Sequence, residues 1–306
     1  MPRSGPTGGT SDHPTQFHAG LPPAPTPAVL HAIADVSRAG ARFELDVGPA
    51  GAGWRPLADL STDPAVLKTR ITAVAEHLGT DESRVAASLL FQRAASRLYS
   101  PLFGAAVAHG ILLRADPLHI HWRAAPGGAL PLRAVDPAGW EATPGQSAEA
   151  LYATVVTGLL EPLADAVRAA VKIAPGLLWG NVASALAGTL RAFTRDRPEH
   201  TEAGFALTRR LLELGRLRGT GDLTEPAPDR PLFMRRSCCL YYRVSGDMCD
   251  DCSLTDAGRR GQPEKRNPST STEGAVMSPS TGTPPNQPRT VLRSLPTAPT
   301  LRSTSG

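Results

Sequence analysis

All four cysteines of this 306-residue chain lie in one short stretch, RRSCCLYYRVSGDMCDDC. Cys238 and Cys239 are adjacent, and nine residues separate them from the pair Cys249 and Cys252. Four thiolates are the usual ligands of a structural zinc ion or of an iron–sulfur cluster. Adjacent side chains in extended backbone diverge, so two neighbouring cysteines bind one ion only where the chain bends, whereas a two-iron cluster can take each sulfur on a different atom. The spacing therefore favours a [2Fe-2S] cluster over zinc, with disulfides or free thiols as the third alternative.

Arginines and tyrosines surround these cysteines. Arg235 and Arg236 precede the first pair, and Arg243 follows it. Cationic neighbours stabilise the more negative, reduced state of a cluster and so raise its reduction potential. Arginine also suits the docking of acidic redox partners. Tyr241 and Tyr242 either shield the sulfur atoms from water or pack in the core.

Other candidate sites have weaker support in the sequence. His119 and His121 are two residues apart on a predicted strand and therefore share one face, as a pair of metal ligands would. No third ligand lies nearby in the sequence, which favours ordinary hairpin histidines. The sequence contains no G-x-S-x-G, P-loop or G-x-G-x-x-G motif, so it gives no support to nucleotide-dependent or serine hydrolase chemistry.

The basic character of the chain is confined to its last fifty residues. The formal net charge is +4. Residues 256–306 contain seven basic and three acidic residues, a difference that equals the whole excess. The remainder is electrically balanced and offers no basic face, so we expect no nucleic-acid partner.

Composition divides the chain into a folded middle and two polar ends. With 41% hydrophobic and 20% charged residues, the chain can bury a sizeable core. Residues 1–27 are rich in Pro, Gly and Thr, and residues 256–306 form a low-complexity tail, so both are predicted to be disordered. Between them we predict a mainly helical domain at 28–232 and a cysteine-rich segment at 233–255.

No stretch of the sequence is predicted to span a membrane. The uncharged stretch 98–113 is too short, and 173–190 is interrupted by proline, glycine and polar residues. The opening residues, MPRSGPTGG, lead into no apolar run, so we expect no signal peptide. These features predict a cytoplasmic protein, a compartment in which cysteines stay reduced.

Hydrophobic periodicity predicts an α+β protein that is predominantly helical, with one small antiparallel β-hairpin or sheet. The hairpin is predicted from LHIHWRA (118–124) and ALPLRAV (129–135), which flank Pro126-Gly127-Gly128. Pro101 is predicted to break a helix before a short helix of small residues. The other predicted helices are 28–39, one beginning at Asp63-Pro64 and ending at Gly79, one capped by Thr80 or Asp81, one from Ser147 to about 173, 178–194 and 201–215.

The cysteine motif resembles the signature of the FhuF-type ferric siderophore reductases, RRSCCLYYR followed by C-x-x-C. Two upstream stretches are similar to helical segments of the same family: SLLFQRAASRLYSPLFGAAVAHG (88–110) and LLWGNVASALAG (177–188). In the second, Trp179 and Asn181 are candidates for the wall of a ligand site, with core packing and helix capping as the alternatives. The sequence departs from the family in three ways: nine rather than ten residues separate the cysteine pairs, Asp250 stands where a glycine is common, and a long tail follows.

The resemblance implies a ferric iron reductase with a C-terminal [2Fe-2S] cluster held by Cys238, Cys239, Cys249 and Cys252. The implied reaction is the one-electron reduction of siderophore-bound Fe(III), of the hydroxamate type, to Fe(II) for release inside the cell. A ferredoxin or flavoprotein would supply the electrons. Two alternatives stay open: a zinc-stabilised, non-enzymatic binding module, and a [2Fe-2S] protein that only carries or senses electrons. No further catalytic residue is assigned.

Overall fold

Helices make up most of the protein, as the sequence predicts for its α+β class. The structure, a computed structural model, describes residues 20–224 and 232–254. The predicted tail, 256–306, and the first nineteen residues of the predicted disordered N-terminal segment lie outside the described residues. The helices are α1 (Thr26–Ser37), α2 (Asp59–Thr62), α3 (Pro64–Leu78), α4 (Ser83–His109), α5 (Pro144–Tyr152), α6 (Glu161–Ala170), α7 (Pro175–Asp196), α8 (Thr201–Leu212) and α9 (Tyr242–Ser245).

Three small sheets accompany the helices among the described residues. Their strands are β1 (Asp46–Val47), β2 (Arg55–Pro56), β3 (Ile111–Leu113), β4 (Ile120–Trp122), β5 (Leu132–Ala134), β6 (Gly139–Glu141), β7 (Gly221–Leu223) and β8 (Phe233–Arg235). The predicted hairpin is confirmed: β4 and β5 are antiparallel, with Ile120 opposite Ala134. They form the centre of a four-stranded sheet, β1-β5-β4-β2, while β3 pairs with β6 and β7 with β8. The additional strands have only two or three residues, which is too short for alternation to reveal.

The predicted start and end of α3 are confirmed. The Asp63 carboxylate accepts hydrogen bonds from the backbone N–H groups of Ala65 and Val66 at 2.9 and 3.2 Å. Gly79 ends the helix in the left-handed region, at φ 63°. A side-chain cap and a left-handed glycine satisfy backbone groups that the helix ends leave unpaired, which explains why these two sequence signals are reliable.

The predicted break at Pro101 is wrong, because α4 continues through it from Ser83 to His109. Proline lacks the N–H that a helix interior uses, and this costs about 3 kcal/mol. The side chains next to it, including Tyr99, Leu102 and Phe103, are at most 2% exposed. Burial of each large apolar side chain contributes about 1.5–3 kcal/mol, so tertiary packing outweighs the local penalty.

The predicted N-cap at Ser147 is also wrong. The helix begins at Pro144, and Thr143 caps it in a capping box with Gln146, whose side-chain oxygen accepts a hydrogen bond from the Thr143 N–H at 3.2 Å. A π-helix, Ala153–Leu160, then joins α5 to α6. The proline at position 162 has no N–H for the preceding turn, which accounts for irregular helix at this point.

One helix is long and apolar enough to cross a membrane by length and composition. It is the continuous Pro144–Ala170 helix, with 27 residues and a mean hydropathy of 1.3. More than half of its most apolar 18-residue stretch, 56%, is buried inside the fold, as in the core helix of a globular domain. Neither of the two stretches that the sequence analysis considered, 98–113 and 173–190, qualifies among the described residues.

Ordered structure begins earlier than residue 28. The backbone N–H of Ala24 donates to the Gly139 carbonyl, and the N–H of Glu141 donates to the Pro22 carbonyl, both at 2.9 Å. Residues 22–24, which composition assigned to the disordered segment, therefore pair with β6, and α1 begins soon after them at Thr26. Composition does not report this pairing, because a proline-rich strand can accept and donate backbone hydrogen bonds at a sheet edge without an apolar pattern.

The helices α4 and α7 pack along each other and form the centre of the core. Phe103 of α4 and Phe193 of α7 meet edge to face, with ring centroids 6.2 Å apart. Gly104 lets α1 approach α4, since a Cβ there would lie 2.5 Å from Val36 Cγ1. The facing surfaces of α4 and α7 thus hold fixed positions for the polar side chains described below.

A charged cluster fastens α1 to the ends of α4 and α7. The Asp35 carboxylate accepts hydrogen bonds from the Arg197 guanidinium and, at 2.9 Å, from His109 Nε2. The hydrogen bond from Arg197 is the main reason that the pKa of Asp35 lies well below its usual range, although burial acts in the opposite direction. A lowered pKa in the folded state means that the ionised form stabilises the fold.

We expect Asp35→Asn to lower the free energy of unfolding at neutral pH by about 1–3 kcal/mol, the usual range for lost hydrogen bonds to charged groups. The contribution of Asp35 is complete above the unfolded-state pKa of about 3.9 and is lost as the pH falls towards the lower folded-state value. Urea unfolding from pH 2 to pH 7 measures it: wild type should lose more stability below about pH 4 than the variant does. Asp165→Asn, at an exposed carboxylate on α6, is the matched control. Parallel pH profiles for wild type and Asp35→Asn would contradict the role of this cluster.

Candidate functional site

The cysteine segment follows a short, sharply turning path. Strand β8 leads to Cys238 and Cys239, and Leu240 then adopts the left-handed region at φ 70°. Non-glycine residues in that region cost on the order of 1–3 kcal/mol and cluster at functional sites. The helix α9 follows and ends at Gly246, which is also left-handed, at φ 73°. The bend that two adjacent cysteine ligands need is thus present immediately after them.

None of the four cysteines forms a disulfide in the structure. Cys239 Sγ lies 3.6 Å from Cys249 Sγ. Cys239 and Cys252 are buried at 2% exposure each, whereas Cys238 and Cys249 are partly exposed. Within residues 20–224 and 232–254, no group of three or more His, Cys, Asp or Glu, these cysteines included, is arranged to hold a single metal ion.

Backbone N–H groups point at sulfur in the same way in both halves of the motif. The N–H of Leu240 donates to Cys238 Sγ at 3.3 Å, and the N–H of Leu254 donates to Cys252 Sγ at 3.4 Å. In each case the donor is two residues after the cysteine. Hydrogen bonds of this kind stabilise negative charge on sulfur, which is what ligation of iron by a thiolate requires. The donor set and its surroundings therefore fit an iron–sulfur cluster.

The thiols share protons unequally. The pKa of Cys239 is lowered to about 6, mainly because the Cys249 thiol donates a hydrogen bond to it, and the pKa of Cys249 is raised for the same reason. Burial raises the pKa of Cys238. The positive charge of Arg235 acts to lower the pKa of all three cysteines. The close approach of the two sulfur atoms therefore favours the thiolate form of Cys239 and the thiol form of Cys249.

Arg235 is the one of the three flanking arginines that is buried, at 2% exposure. Its Nη2 donates to Asn181 Oδ1, but its buried Nε and Nη1 have no hydrogen-bond partner among the described residues. Within the same residues no carboxylate forms an ion pair with it. An unpaired buried cation is costly unless an anion compensates it, and two unused N–H groups remain to bind such an anion.

A buried polar chain connects the cysteine segment to the two central helices. Asn181 of α7, which accepts from Arg235, donates to the Ser88 hydroxyl of α4 at 2.9 Å. The Ser88 hydroxyl in turn donates to the Cys239 carbonyl at 2.7 Å. Ser88 and Asn181 are both fully buried. Asn181 thus neither caps a helix nor lines an open ligand site: it holds Arg235 and, through Ser88, the backbone of the first cysteine pair.

Gly180 allows the cysteine segment to lie directly against α7. A Cβ at this position would be 2.1 Å from Ser237 Oγ and 3.6 Å from Arg235 Nη2. The Ser237 hydroxyl donates to the Gly176 carbonyl at 3.0 Å, which fixes it in this narrow space. Gly180 and Asn181 therefore act together: the glycine provides the space and the asparagine provides the bond.

We expect Gly180→Ala to destabilise the protein by about 1–3 kcal/mol, as overpacking does, even though alanine is the better helix former. The double variant Gly180→Ala with Ser237→Ala should recover most of the loss, because it removes the clashing oxygen. Denaturant unfolding and iron content measure both effects. Gly176→Ala is the control on the same helix, since nothing lies within 4 Å of its Cβ position. Wild-type stability of Gly180→Ala would show that the contact is not tight.

The other two flanking arginines serve as surface attachments. Arg236 pairs with Asp222 of β7 at 2.8 Å, and Arg243 of α9 pairs with Glu82 at 2.7 Å, just before α4. The two tyrosines are also exposed, Tyr241 at 38% and Tyr242 at 37%, so core packing, one of the two predicted roles, is wrong for them. The sequence offers no reason to rank these three arginines and two tyrosines. The structure shows that Arg235 is buried and that the other four side chains are exposed.

A cleft of about 700 Å³ lies between α4, α7 and the cysteine segment. One side of the cleft presents three arginines, Arg42, Arg93 and Arg191. Arg93 lies on α4 and Arg191 on α7, whereas Arg42 lies in the turn after α1. The opposite side comes from the cysteine segment and includes Cys249, the one cysteine among the lining residues. A volume of roughly 300–1,000 Å³ is typical of sites for small molecules. The remaining lining residues on the segment side are Phe233, Tyr241, Asp247, Met248, Asp250 and Asp251.

The remaining sequence candidates have structural roles. His119 Nδ1 pairs with the Asp116 carboxylate at 2.8 Å, while His121 is buried and its Nε2 lies 3.1 Å from the Leu118 carbonyl oxygen. The two histidines therefore do not form a metal site with any third described ligand. Trp179 packs in the core at 8% exposure, edge to face with Phe91.

Sequence comparison agrees with the geometry of the segment. Residues 235–254 match the family described as the FhuF 2Fe-2S C-terminal domain. No curated protein matches the chain. The match begins at Arg235, includes all four cysteines and does not extend to the upstream stretches 88–110 and 177–188, for which the resemblance stays a prediction. The nine-residue spacing and Asp250 lie inside the matched region, so neither departure prevents the match. Residues 235–254 are therefore similar to the FhuF 2Fe-2S C-terminal domain, and this similarity supports a [2Fe-2S] cluster as the cofactor of the segment.

Proposed function

We propose that this protein is an iron–sulfur ferric siderophore reductase, which reduces siderophore-bound Fe(III) to Fe(II). The observation that carries this proposal is the position of Cys249: it belongs to the FhuF-type segment and also lines a cleft of about 700 Å³ in the helical part of the fold. The segment that matches the [2Fe-2S] domain therefore forms part of the wall of a cleft large enough for a small molecule. The match of residues 235–254 to a [2Fe-2S] domain supports the oxidoreductase class, and both the class and the substrate are part of this proposal.

We assign Cys238, Cys239, Cys249 and Cys252 as the four ligands of the cluster. The assignment is supported by the 3.6 Å approach of Cys239 and Cys249 across the two pairs and by the N–H donors directed at Cys238 and Cys252. When bound, the cluster supplies single electrons, the number that converts Fe(III) to Fe(II).

The residues of the chain have three tasks in this reaction. Ser88 and Asn181 fix the backbone at Cys239 and the side chain of Arg235, so that the cysteines keep their positions relative to the cleft. The burial of Cys239 and Cys252 keeps water from two of the four sulfur atoms. The partly exposed Cys249 leaves one side of the segment accessible from the cleft. Siderophores hold Fe(III) with oxygen donors far more tightly than Fe(II), so reduction releases the metal without breaking the chelator.

The partners and location follow from the same chemistry. We propose a hydroxamate-type ferric siderophore as substrate, and a ferredoxin or a flavoprotein as the electron donor. Cysteines can ligate iron only where they stay reduced, so the proposed ligand set supports a location in the reducing cytoplasm. The charge balance of the chain outside residues 256–306 supports no nucleic-acid partner.

Anaerobic purification followed by single-turnover assays tests the proposal. The full chain should contain two irons and two sulfides, give a rhombic EPR signal after one-electron reduction, and lose that signal when a ferric trihydroxamate is added, while a ferrous chelator reports Fe(II). Electron exchange with a ferredoxin but with no ferric complex would identify an electron carrier or sensor. A colourless protein with stoichiometric zinc after cluster reconstitution would overturn the assignment and favour a binding module.

A further inference from the structure

The arginine side of the cleft carries unsatisfied hydrogen-bonding capacity. Among the described residues, the Arg42 guanidinium has neither an ion pair nor a hydrogen bond. Although its side chain is exposed, the partial enclosure of Arg42 and repulsion from Arg191 and Arg195 lower its pKa. Arg42 lines the cleft, and the five N–H donors of its guanidinium have no bound acceptor among the described residues.

The other two arginines of the cleft are already engaged. Arg93 donates to the Gly127 carbonyl at 2.8 Å, and Arg191 pairs with Asp250 at 2.9 Å across the two sides. Arg42 is therefore the donor that is available to a ligand. On the opposite side, Met248 and Tyr241 expose 50% and 38% of their surface and offer apolar contact.

The wall between these sides consists of small residues on α7. Ala185, Ala187 and Gly188 line the cleft, and none projects far into it. A Cβ on Gly188 would lie 3.2 Å from Arg42 Nη1, so position 188 is directed towards the free guanidinium. A large side chain at this position would occupy the space in front of Arg42.

We infer that this cleft binds the ferric complex as a preformed unit, with Arg42 donating hydrogen bonds to its oxygen ligands and Cys249 at the opposite wall. This inference rests on the proposed function. A hydroxamate complex presents oxygen acceptors around the metal and an apolar linker outside them. Arg42 matches the first feature, and Met248 with Tyr241 matches the second. The complex is thereby held between the arginine side and the wall that contains Cys249.

Binding of a gallium(III) trihydroxamate to the cluster-loaded full chain tests the inference without any redox step, because gallium(III) has the charge of Fe(III) but is not reduced. Calorimetric titration should give one saturable site in wild type. Arg42→Gln should weaken it about tenfold, the usual loss for a hydrogen bond to a charged donor. Gly188→Leu should abolish it by filling the cleft.

Matched controls separate this result from general damage. Arg209→Gln changes an exposed arginine on α8, and Gly145→Leu changes a glycine with nothing within 4 Å of its Cβ position. Both should bind like wild type. The EPR signal and the melting temperature should be unchanged in Arg42→Gln, and if Gly188→Leu does not fold, Arg42→Gln alone decides.

The outcomes distinguish the cleft from the reductase activity. If the ferric complex is reduced but both cleft variants bind gallium trihydroxamate like wild type, the inference is overturned and the proposed function stands. If wild type binds no gallium complex, the inference is also overturned. If the gallium complex binds in the cleft but the ferric complex is not reduced, the cleft stands as a chelate site and the proposed function fails.

Discussion

Cys249→Ser should abolish the EPR signal of the reduced protein or change it beyond recognition, and iron content should fall from two per chain towards zero. Cys249 Sγ lies 3.6 Å from Cys239 Sγ, so this residue joins the C-x-x-C pair to the adjacent pair. Serine oxygen is a harder and less acidic ligand than thiolate, and an iron–sulfur cluster prefers sulfur. The substitution removes little volume, which keeps the packing comparable.

The controls for this variant address position and fold. Met248→Leu alters the preceding, half-exposed residue and should leave iron, sulfide and EPR unchanged. Cys249→Ala removes every ligand atom and should give at least as large a loss as serine. An unaltered EPR signal with full iron content in Cys249→Ala would exclude Cys249 as a ligand and reopen the assignment of all four cysteines.

Arg235→Gln should lower the midpoint potential of the cluster by on the order of 50–100 mV, because a unit charge at close range in a partly buried site contributes about 2 kcal/mol. The sign follows from charge: reduction adds a negative charge, and the buried cation favours the more negative state. Arg235 is fully enclosed, carries two unused N–H groups and lacks a carboxylate partner among the described residues. Its positive charge acts on the pKa of Cys238, Cys239 and Cys249.

Potentiometric titration followed by EPR measures the shift, and two further variants interpret it. Arg236→Gln removes an exposed arginine that already pairs with Asp222, so its potential should stay near that of wild type. Arg235→Lys keeps the charge but not the planar fork, and its potential should lie between those of wild type and Arg235→Gln. Equal shifts in Arg235→Gln and Arg236→Gln would show that only net charge matters.

The same variant links the cluster to the stability of the fold. Without an anion, Arg235 is an uncompensated buried charge, so wild type should gain more thermal stability from cluster loading than Arg235→Gln does. Melting temperatures of the apo and loaded forms of both proteins give this difference. An identical gain in both would mean that the cluster does not compensate Arg235.

Local signals in the sequence were reliable where they described one element at a time. The Asp63-Pro64 start and the Gly79 end of α3 were predicted correctly, because caps satisfy backbone groups within a few residues. The hairpin of β4 and β5 was also predicted correctly, because its two short strands and the Pro-Gly-Gly between them lie next to each other in the sequence. Pro101 was misread, because only the packing around α4 shows that a buried helix can tolerate a proline.

The same distinction between local sequence signals and long-range packing applies to the candidate site. The sequence by itself favoured a [2Fe-2S] cluster over zinc, since four thiols in the pattern C-C-x9-C-x2-C restrict the chemistry before any folding is considered, and the match of residues 235–254 supports that choice. The sequence also indicated that arginines accompany these thiols. Only the tertiary structure decided that Arg235, the last residue of β8, is buried while its neighbour Arg236 is exposed, because the contact with Asn181 of α7 places the Arg235 side chain inside.

The rest of the candidate site is formed by residues that lie far apart in the sequence. Ser88, Gly180 and Asn181 have no chemical signature of their own, and they act because α4 and α7 bring them against Cys239, Ser237 and Arg235. The cleft and its free Arg42 likewise exist only between elements. Ligand chemistry is a property of residue type and short spacing, so the sequence determined it; burial, pairing and cavities are properties of long-range packing, so only the fold could decide them.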